Sequence, residues 1–567
     1  MRTLSFALVP LIATALQAGC ESSHSVRTSN DTTATGPAAQ VASADAPHLY
    51  SGFGNYTRKV TTSSREAQRW FDQGIQLLYG FNHDEAIRSF REAARLDPGC
   101  AMAWWGVSYA HGLHINNPVM TETQSRNGDE AAKRALAALD NETPAEQALV
   151  RAVTKRYAWP APADRKPLDE AYAAEMEKAW KTFLDDPDVG ALFAESLMNL
   201  QPWNYWTHDG QPKGRIKEIV AALERAMTIN PQHPGANHFY IHAVEASGSP
   251  ERALTAATRL GKLVPGSGHL VHMPSHIWIR TGQYALAADT NERAVAVDAA
   301  YFKIAPPPVF YNVYYIHNLH FLAYAAMFEG RYAKAMEAAR RLEREAPESF
   351  IREYAPAADG LTPVALHVMV RFGKWEDILK EPEAAEYRKI SRLTRHYARG
   401  VAFAALGRVE EARGELAAYN DVAATVGEEW FVGNNPAKDV LPIPRLMMEG
   451  EILYREGRKD EAFAKMREAV KVEENLNYDE PPGWMQPVRH ALGALLLESS
   501  RAAEAEEVYR ADLTRHPGNG WSLLGLRRSL EAQGKNADAA GADAQLAKAW
   551  KRADVKPQAS CYCAKGT

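Results

Sequence analysis

An interval of 34 residues recurs along the chain and constrains its fold more than any other feature of the sequence. The clearest copy spans residues 67–100, where positions 4, 8, 20, 24, 27 and 32 are Trp70, Gly74, Ala86, Phe90, Ala93 and Pro98. Glycine and alanine allow two helices to approach closely, and a proline ends a helix because it cannot donate to the hydrogen-bond ladder. The interval therefore predicts a pair of antiparallel helices in each unit.

The same pattern continues to the end of the chain. With a turn residue at position 15 and a small residue at position 20, further units carry Ala253, Gly282 with Ala287, Gly330 with Ala335, Gly373 with Trp375, Gly407 with Ala412, Gly457 with Ala462, Ala505 with Pro517, and Gly534 with Ala539. Position 8 is again glycine at Gly400, Gly450 and Gly493. The pattern resembles the tetratricopeptide repeat (TPR) and predicts an all-α fold, a TPR α-solenoid in which antiparallel helix pairs stack as a superhelix. We assign TPR units to residues 61–115, 232–380 and 381–550.

The pattern is interrupted between Asn116 and Pro231, which predicts an irregular helical and loop insertion around residues 116–231. Helices are expected near 128–140, 144–157, 167–185 and 188–200, followed by the aromatic loop LQPWNYWTHDGQPKG at 200–214. The sequence allows two interpretations of this loop. Its aromatic residues Trp203, Tyr205 and Trp206 fill the solenoid's own groove, or the loop is a ligand-facing lid that carries His208 and Asp209.

Seven of the eighteen histidines lie in the single stretch 234–332. The TPR resemblance implies that positions 2, 5, 9 and 12 of each first helix face the concave groove of the solenoid. These positions hold the candidate metal ligands His238, His242, Glu245, His269, His272, His276, His317 and His320, and the candidate groove residues Tyr324 and His367. The sequence therefore predicts a groove lined by histidines from adjacent helices.

The spacing of these histidines favours metal binding. Residues three or four apart on a helix have Cβ atoms about 5–6 Å apart, so pairs such as His238 with His242 can clamp one ion. His269 and His276 are separated by about 10.5 Å of helix rise, which favours one ion bridging two adjacent helices or two separate ions. Imidazole ligands suit zinc, copper, iron or nickel rather than calcium or magnesium. A hydrogen-bonded or ligand-recognising histidine cluster and an unspecialised groove are the alternatives.

The two ends of the chain carry signals of their own. Residues 1–20 resemble an export signal that ends in a lipobox, with Cys20 as the lipidated residue, and ordinary secretion is the alternative. Residues 21–60 are poor in large apolar side chains and are expected to form a flexible tether. The tail 551–567 contains Cys561 and Cys563, which form a disulfide, a soft ligand pair or an ordinary chain end. We expect a periplasmic or cell-envelope lipoprotein that meets the membrane only through its N-terminal anchor.

Charge excludes one class of partner. The formal net charge is −5 and the pI is near 6.4, so no electrostatic case exists for nucleic acid binding. Phosphate loops, nucleophile elbows and His-Glu-x-x-His helices are also missing from the sequence.

Residues 65–550 resemble a group of bacterial exported TPR proteins of similar length, on the blocks CAMAWWGVSYAHG (100–112), HFYIHAVEAS (238–247), GHLVHMPSHIWIRTG (268–282) and NGWSLLGLRRSLEAQGK (519–535). The resemblance implies no activity, although TPR modules in general bind peptides or proteins in their groove. We predict an exported scaffold whose transition-metal site binds metal, a partner or a ligand. One alternative is a metal-dependent hydrolase or oxidoreductase with Glu245 or Asp209 as base, and another is a protein-interaction module without metal.

The lipobox generates the first prediction. We expect Cys20→Ser to shift the protein from the membrane fraction to the soluble fraction, because the acylated thiol is then absent. Cell fractionation followed by immunoblotting measures the shift, and Cys100→Ser is the matched cysteine control. Unchanged partitioning of the Cys20 variant would exclude the lipid anchor.

Overall fold

The computed structural model describes residues 47–305, 310–561 and 563–564. The export signal, the lipidation residue Cys20 and the tether up to residue 46 lie outside the described residues. In the part of the chain that is described, none of the helices is long and apolar enough to cross a membrane.

The first half of the chain folds into helices of very different lengths. They are α1 (Arg65–Tyr79), α2 (His83–Leu96), α3 (Ala101–Ala110), α4 (Glu122–Ala137), α5 (Pro144–Val153), α6 (Lys166–Thr182), α7 (Pro187–Met198), α8 (Ile216–Ile229), α9 (Pro234–Val244), α10 (Leu254–Leu263), α11 (Gly268–His272), α12 (Pro274–Arg280) and α13 (Tyr284–Tyr301). A 3₁₀ turn at Pro250–Ala253 precedes α10.

The second half is also helical. Its helices are α14 (Tyr311–Phe328), α15 (Tyr332–Glu345), α16 (Glu348–Glu353), α17 (Ala355–Ala358), α18 (Val364–Arg371), α19 (Trp375–Lys380), α20 (Lys389–Ala405), α21 (Val409–Ala423), α22 (Ala437–Val440), α23 (Pro442–Arg455), α24 (Lys459–Glu474), α25 (Val488–Glu498), α26 (Ala502–Arg515), α27 (Gly520–Ala532) and α28 (Asn536–Ala549). A 3₁₀ turn covers Asp359–Leu361, and the described strands are β1 (Phe431–Val432) and β2 (Asn435–Pro436), which pair antiparallel. The predicted all-α repeat fold is confirmed.

The chain divides into two compact units. The first comprises the described residues within Met1–Pro202, Arg225–Ala236 and Ala299–Pro308, and the second comprises those within Trp203–Glu224, Asn237–Asp298 and Val309–Thr567. Every candidate metal or groove residue predicted from the sequence lies in the second unit. In the first unit, the buried Asp188 carboxylate accepts hydrogen bonds from Arg58 at 2.7 Å and from the Tyr79 hydroxyl at 2.5 Å.

The glycine at position 8 lies against the residue at position 24 of the same repeat in the units that contain Gly74 and Gly493. A Cβ atom on Gly74 would come within 2.6 Å of the Phe90 ring, and one on Gly493 within 2.4 Å of the Tyr509 ring. These contacts are made between consecutive helices joined by short turns, which makes the helices antiparallel neighbours. Glycine at this position therefore sets how closely the two helices of a repeat pack.

The turn at position 15 also follows the predicted pattern. Its residue has a positive φ at Gly282, Gly330, Gly373, Gly407, Gly457 and Gly534. Two units place a residue with a side chain there, Phe81 with φ of 55° and Ser500 with φ of 61°. The left-handed backbone closes the turn between the two helices, and glycine adopts it with least strain.

The insertion around residues 116–231 is helical where helices were expected. Its helices α4 to α7 begin within a few residues of the predicted starts, apart from α4, which begins earlier because Thr121 and Gln124 form a capping box. A second capping box, between Thr143 and Glu146, begins α5.

The C-terminal segment after α28 is tied to the second unit by specific contacts. The Asp554 carboxylate accepts from the backbone nitrogens of Tyr332 at 2.7 Å and Ala333 at 2.9 Å, so it caps the start of α15. Arg552 forms ion pairs with Glu329 and Asp289. Cys561 and Cys563 form a disulfide, one of the three states that the sequence allowed. The predicted tail is thus part of the folded unit over most of its described length.

The helix-pair contact generates the second prediction. We expect Gly493→Ala to lower the free energy of unfolding by about 1–3 kcal/mol, because the new methyl group overlaps the Tyr509 ring. The matched control is Gly414→Ala in the exposed part of α21, where a Cβ atom meets nothing within 4 Å. That change should stabilise by roughly 0.5–1 kcal/mol. Equal effects of the two substitutions in urea titrations would contradict the packing role of position 8.

Candidate metal centre

Four helices of the second unit carry the histidine cluster: α9, α11, α12 and α14. The helical run around Pro274 is divided at Met273, with α11 ending at His272 and α12 beginning at Pro274. A proline at the first position of a helix costs little, because its missing N–H would have no partner within the helix. Met273 itself keeps helical backbone angles, with φ of −48° and ψ of −39°, so His272 and His276 lie one turn apart on the same face.

The first histidine triad consists of His238 and His242 from α9 and His269 from α11. Their ligand nitrogens all lie within 4.8 Å of one another, and all three side chains are buried. The Nε2 atoms of His238 and His269 are 3.1 Å apart. Two nitrogens bound to one ion at a tetrahedral angle are about 3.3 Å apart, given metal–nitrogen bonds of about 2.0–2.1 Å. The triad is therefore close to ligand geometry.

The second histidine triad consists of His272 from α11, His276 from α12 and His317 from α14. The Nε2 atoms of His272 and His276 are 2.9 Å apart. Nδ1 of His272 lies 2.6 Å from Oδ1 of Asn291, whose amide nitrogen donates to the Ala287 carbonyl. Because the Asn291 oxygen must accept, His272 Nδ1 carries the proton and His272 Nε2 has a free lone pair.

The Glu245 carboxylate contacts one histidine of each triad. One of its carboxylate oxygens lies 2.9 Å from Nδ1 of His242, and the other lies 2.8 Å from Nδ1 of His276. A second carboxylate, that of Glu480, lies 3.1 Å from the same Nδ1 of His276. Both imidazoles therefore donate through Nδ1, which turns their Nε2 atoms toward the triads. Glu245, predicted as a ligand, is placed here as a residue that orients two ligands, and it also forms a group with His276 and Glu480.

Burial keeps most of this cluster neutral. It lowers the pKa of His242, and it lowers the pKa values of His269, His272 and His317 well below the ordinary value, assisted by the neighbouring imidazoles. Neutral imidazoles are the form that binds metal ions.

His276 is the exception within the cluster. Burial acts to lower its pKa, but the Glu245 and Glu480 carboxylates outweigh burial and raise the pKa of His276 to about 10. Burial likewise acts to raise the pKa of Glu245, but His276 and His242 lower it to about 2. Without a metal ion, His276 is therefore an imidazolium whose Nε2–H donates to the lone pair of His272 Nε2. That proton lies between the Nε2 atoms of His272 and His276, which are 2.9 Å apart.

Aromatic rings cover both triads. The Trp203 ring meets His242 edge-on at 5.0 Å, and the Tyr314 ring lies 4.5 Å from His269. Phe321 contacts His272 at 5.1 Å and His276 at 5.0 Å. These rings keep water from the imidazoles and help to account for their lowered pKa values.

The other predicted residues of the aromatic loop lie in different surroundings. Tyr205 is buried, and the Trp206 indole donates to the Ala243 carbonyl at 2.8 Å, next to the first triad. His208 and Asp209 are exposed at the turn of the loop. The aromatic residues thus pack inward, as one interpretation of the loop held, while the two polar residues face solvent.

His320, His367 and Tyr324 are buried but belong to neither triad. The Tyr324 ring lies 4.7 Å from the Phe328 ring, with the two planes tilted by 42°. His320 and His367 line a pocket with a cavity volume of about 50 Å³ that opens to solvent at its mouth. His317 and Glu480 line the same pocket, which therefore adjoins the second triad.

Sequence reasoning missed Glu480 and Asn291. Glu480 is 204 residues from His276 in sequence and lies in the loop YDEPPGW at 478–484. That loop combines aromatic, acidic and proline residues much as the 200–214 loop does, and this composition was an available signal. Asn291 lies on α13, the second helix of its repeat, where groove positions of first helices do not apply.

Comparison with known proteins adds little. No family model and no curated protein matches the chain. Among solved structures, the human IFIT1 dimer with m7Gppp-AAAA shares 13% identity over 86% of this chain and 91% of that chain, with a TM-score of 0.30. Yeast Tom70 shares 11% identity over 87% of this chain and 91% of that chain, with a TM-score of 0.29. Both likenesses are too weak to carry an argument about this protein.

The buried histidines generate the third prediction, for metal-free protein. Burial lowers the pKa of His320 to about 4 from an ordinary value of 6.5. Below pH 6.5 the unfolded chain binds a proton that the folded chain does not, so this histidine costs stability as the pH falls toward 4. We therefore expect the free energy of unfolding of His320→Phe, relative to that of wild type, to be higher by about 2 kcal/mol at pH 5 than at pH 7.5.

Denaturant titrations at the two pH values measure the difference. Leu322→Met is the control, because it lies on the same helix and has no titrating group. It should shift the free energy of unfolding by the same amount at both pH values. A His320→Phe effect that is independent of pH would contradict a neutral, buried His320.

Proposed function

We propose that this protein binds two transition-metal ions, one in each histidine triad. The observation that carries the proposal is the pair of triads, buried except for the half-buried His317, with nitrogens that lie within 4.8 Å of one another inside each triad. Isolated buried histidines occur in many proteins, but six that converge as two groups of three are the arrangement of a three-ligand site.

The residues around the triads support this proposal. Asn291 fixes the proton of His272 on Nδ1, and Glu245 does the same for His242 and, with Glu480, for His276, so Nε2 of each imidazole is directed toward its triad. Ligating histidines in metalloproteins characteristically donate their other ring N–H to a carboxylate or amide oxygen. Loading the second triad would displace the proton that His276 Nε2 holds, so metal binding should weaken as the pH falls.

The ligand set limits the metal. Both triads offer imidazole nitrogen, which suits zinc, copper, iron or nickel. The third group, of Glu245, His276 and Glu480, offers two carboxylates, but its imidazole nitrogen is the Nδ1 that already faces those carboxylates. We therefore assign Glu245 and Glu480 to orientation of His276 and exclude them from the ligands.

We further propose that the protein acts outside the cytoplasm, as an exported metal-binding scaffold. The lipobox-like sequence that ends at Cys20 is one support. The Cys561–Cys563 disulfide is another, because disulfides persist mainly in oxidising compartments. A peptide or protein partner in the repeat groove remains part of this proposal.

Metal content generates the fourth prediction. Protein purified without a histidine tag, then loaded with zinc or copper and desalted, should hold two ions per chain by elemental analysis. The double variant His238→Ala with His269→Ala should lose the first ion, and His272→Ala with His276→Ala should lose the second. Combining all four substitutions should leave the protein without tightly bound metal.

Controls separate ligand loss from unfolding. His396, whose Nδ1 lies 2.8 Å from Glu415, is remote from the triads, and His396→Ala should leave metal content unchanged. Because removing His276 leaves Glu245 buried with one partner fewer, circular dichroism must show each variant folded. Full occupancy in folded double variants, or a wild type that takes up neither zinc nor copper, would overturn the proposal.

A further inference from the structure

The pocket beside the second triad has features that metal binding does not use. His320 and His367 line one part of it, Trp484 lies with them, and Val364, Ile390 and Leu393 supply apolar wall. We propose that this pocket binds a small uncharged organic molecule, apolar along most of its length, whose polar end meets His320, His367 and Trp484. The inference goes beyond the proposed metal function and can be tested without metal.

Buried polar atoms that lack partners point to a ligand. Nδ1 of His320, Nδ1 of His367 and Nε1 of Trp484 are buried without a hydrogen-bond partner among residues 47–305 and 310–561. The residues themselves are 6%, 8% and 5% exposed. A buried polar atom without a partner costs free energy, so such atoms ordinarily meet water or a ligand. Because these three atoms lie around one pocket, they give the pocket a polar end.

The polar end also specifies the chemistry of the ligand. The Trp484 indole can only donate, so the ligand must carry a hydrogen-bond acceptor such as a hydroxyl or carbonyl oxygen. The two imidazoles can each donate or accept through Nδ1. The ring of His367 meets the Trp484 ring edge-on at 5.1 Å, which holds both groups in position.

Charge excludes anions from this pocket. Asp479 and Glu480 contribute carboxyl groups to its lining, and the described lining residues include neither lysine nor arginine. A carboxylate or phosphate group would therefore be transferred from water to an apolar pocket without a cation to pair with. An uncharged molecule avoids this cost.

The location gives the pocket its functional meaning. His317 belongs to the second triad and lines the pocket, and Glu480 contacts His276 and lines it as well. A molecule in the pocket would lie beside the side chains that we assign to the second ion. This juxtaposition is what a metal-dependent enzyme or a metal-linked sensor of small molecules requires.

Phenol and benzoate form a matched pair of probes, because they share a ring and differ in charge. We expect wild-type protein, freed of metal by chelation, to bind phenol at one site, measured by titration calorimetry and by the phenol-dependent rise in Tm. Benzoate should bind at least tenfold more weakly. A crystal soaked with phenol should show it between His320, His367 and Trp484.

Substitutions then locate the site. His320→Phe and His367→Phe remove an unpaired polar atom but retain a ring, so each should keep or raise Tm without phenol. Each should weaken phenol binding by roughly three- to tenfold, the equivalent of one hydrogen bond. His396→Phe, outside the pocket, should leave phenol affinity unchanged.

The outcomes are separable from those of the metal experiment. Phenol binding that persists in the variant with all four triad substitutions, at His238, His269, His272 and His276, would support the pocket even if the protein takes up no metal. Equal affinity of wild type and both pocket variants would overturn the inference. The inference would also be overturned if a crystal soaked with phenol showed only ordered water between the three side chains. That experiment uses wild-type protein.

Discussion

The buried carboxylate of Glu245 is the interaction on which the candidate centre depends. It is fully buried, and it contacts Nδ1 of His242 and Nδ1 of His276 with separate oxygens. A carboxylate without charge partners would not remain ionised at such a depth, and His276 supplies the compensating charge. The ion pair therefore holds α9 and α12 in one register, and it fixes the direction of one nitrogen lone pair in each triad.

Burial also keeps the other histidines of the cluster neutral. Aromatic rings of Trp203, Tyr314 and Phe321 surround imidazoles whose pKa values burial lowers. A neutral imidazole needs partners for both ring nitrogens, and His272 obtains one from Asn291 and another from His276. Such a network is stable without metal, provided that one proton is shared between the triad nitrogens.

Much of this fold could be predicted from sequence because its constraints are local. A 34-residue interval specifies that Gly74 faces Phe90 and that a left-handed turn follows the first helix, at Phe81 in this unit. The positions of the histidines could be predicted from the same repeat interval, because both triads are formed by first helices of neighbouring repeats. Glu480 could not be predicted because it arrives from a loop 204 residues away, and the interval does not describe loops. The C-terminal contacts of Asp554 follow no repeat pattern either.

Helix spacing explains how one stretch of chain contributes to both triads. His269 and His276 are seven residues apart, which corresponds to about 10.5 Å along a helix axis. His269 accordingly joins the first triad, while His272 and His276, one turn apart, join the second. His269 and His272 have their ring centroids 6.0 Å apart and nearly parallel, so the triads are neighbours in one buried cluster. Because Glu245 contacts one histidine of each triad, the two triads share one orienting carboxylate.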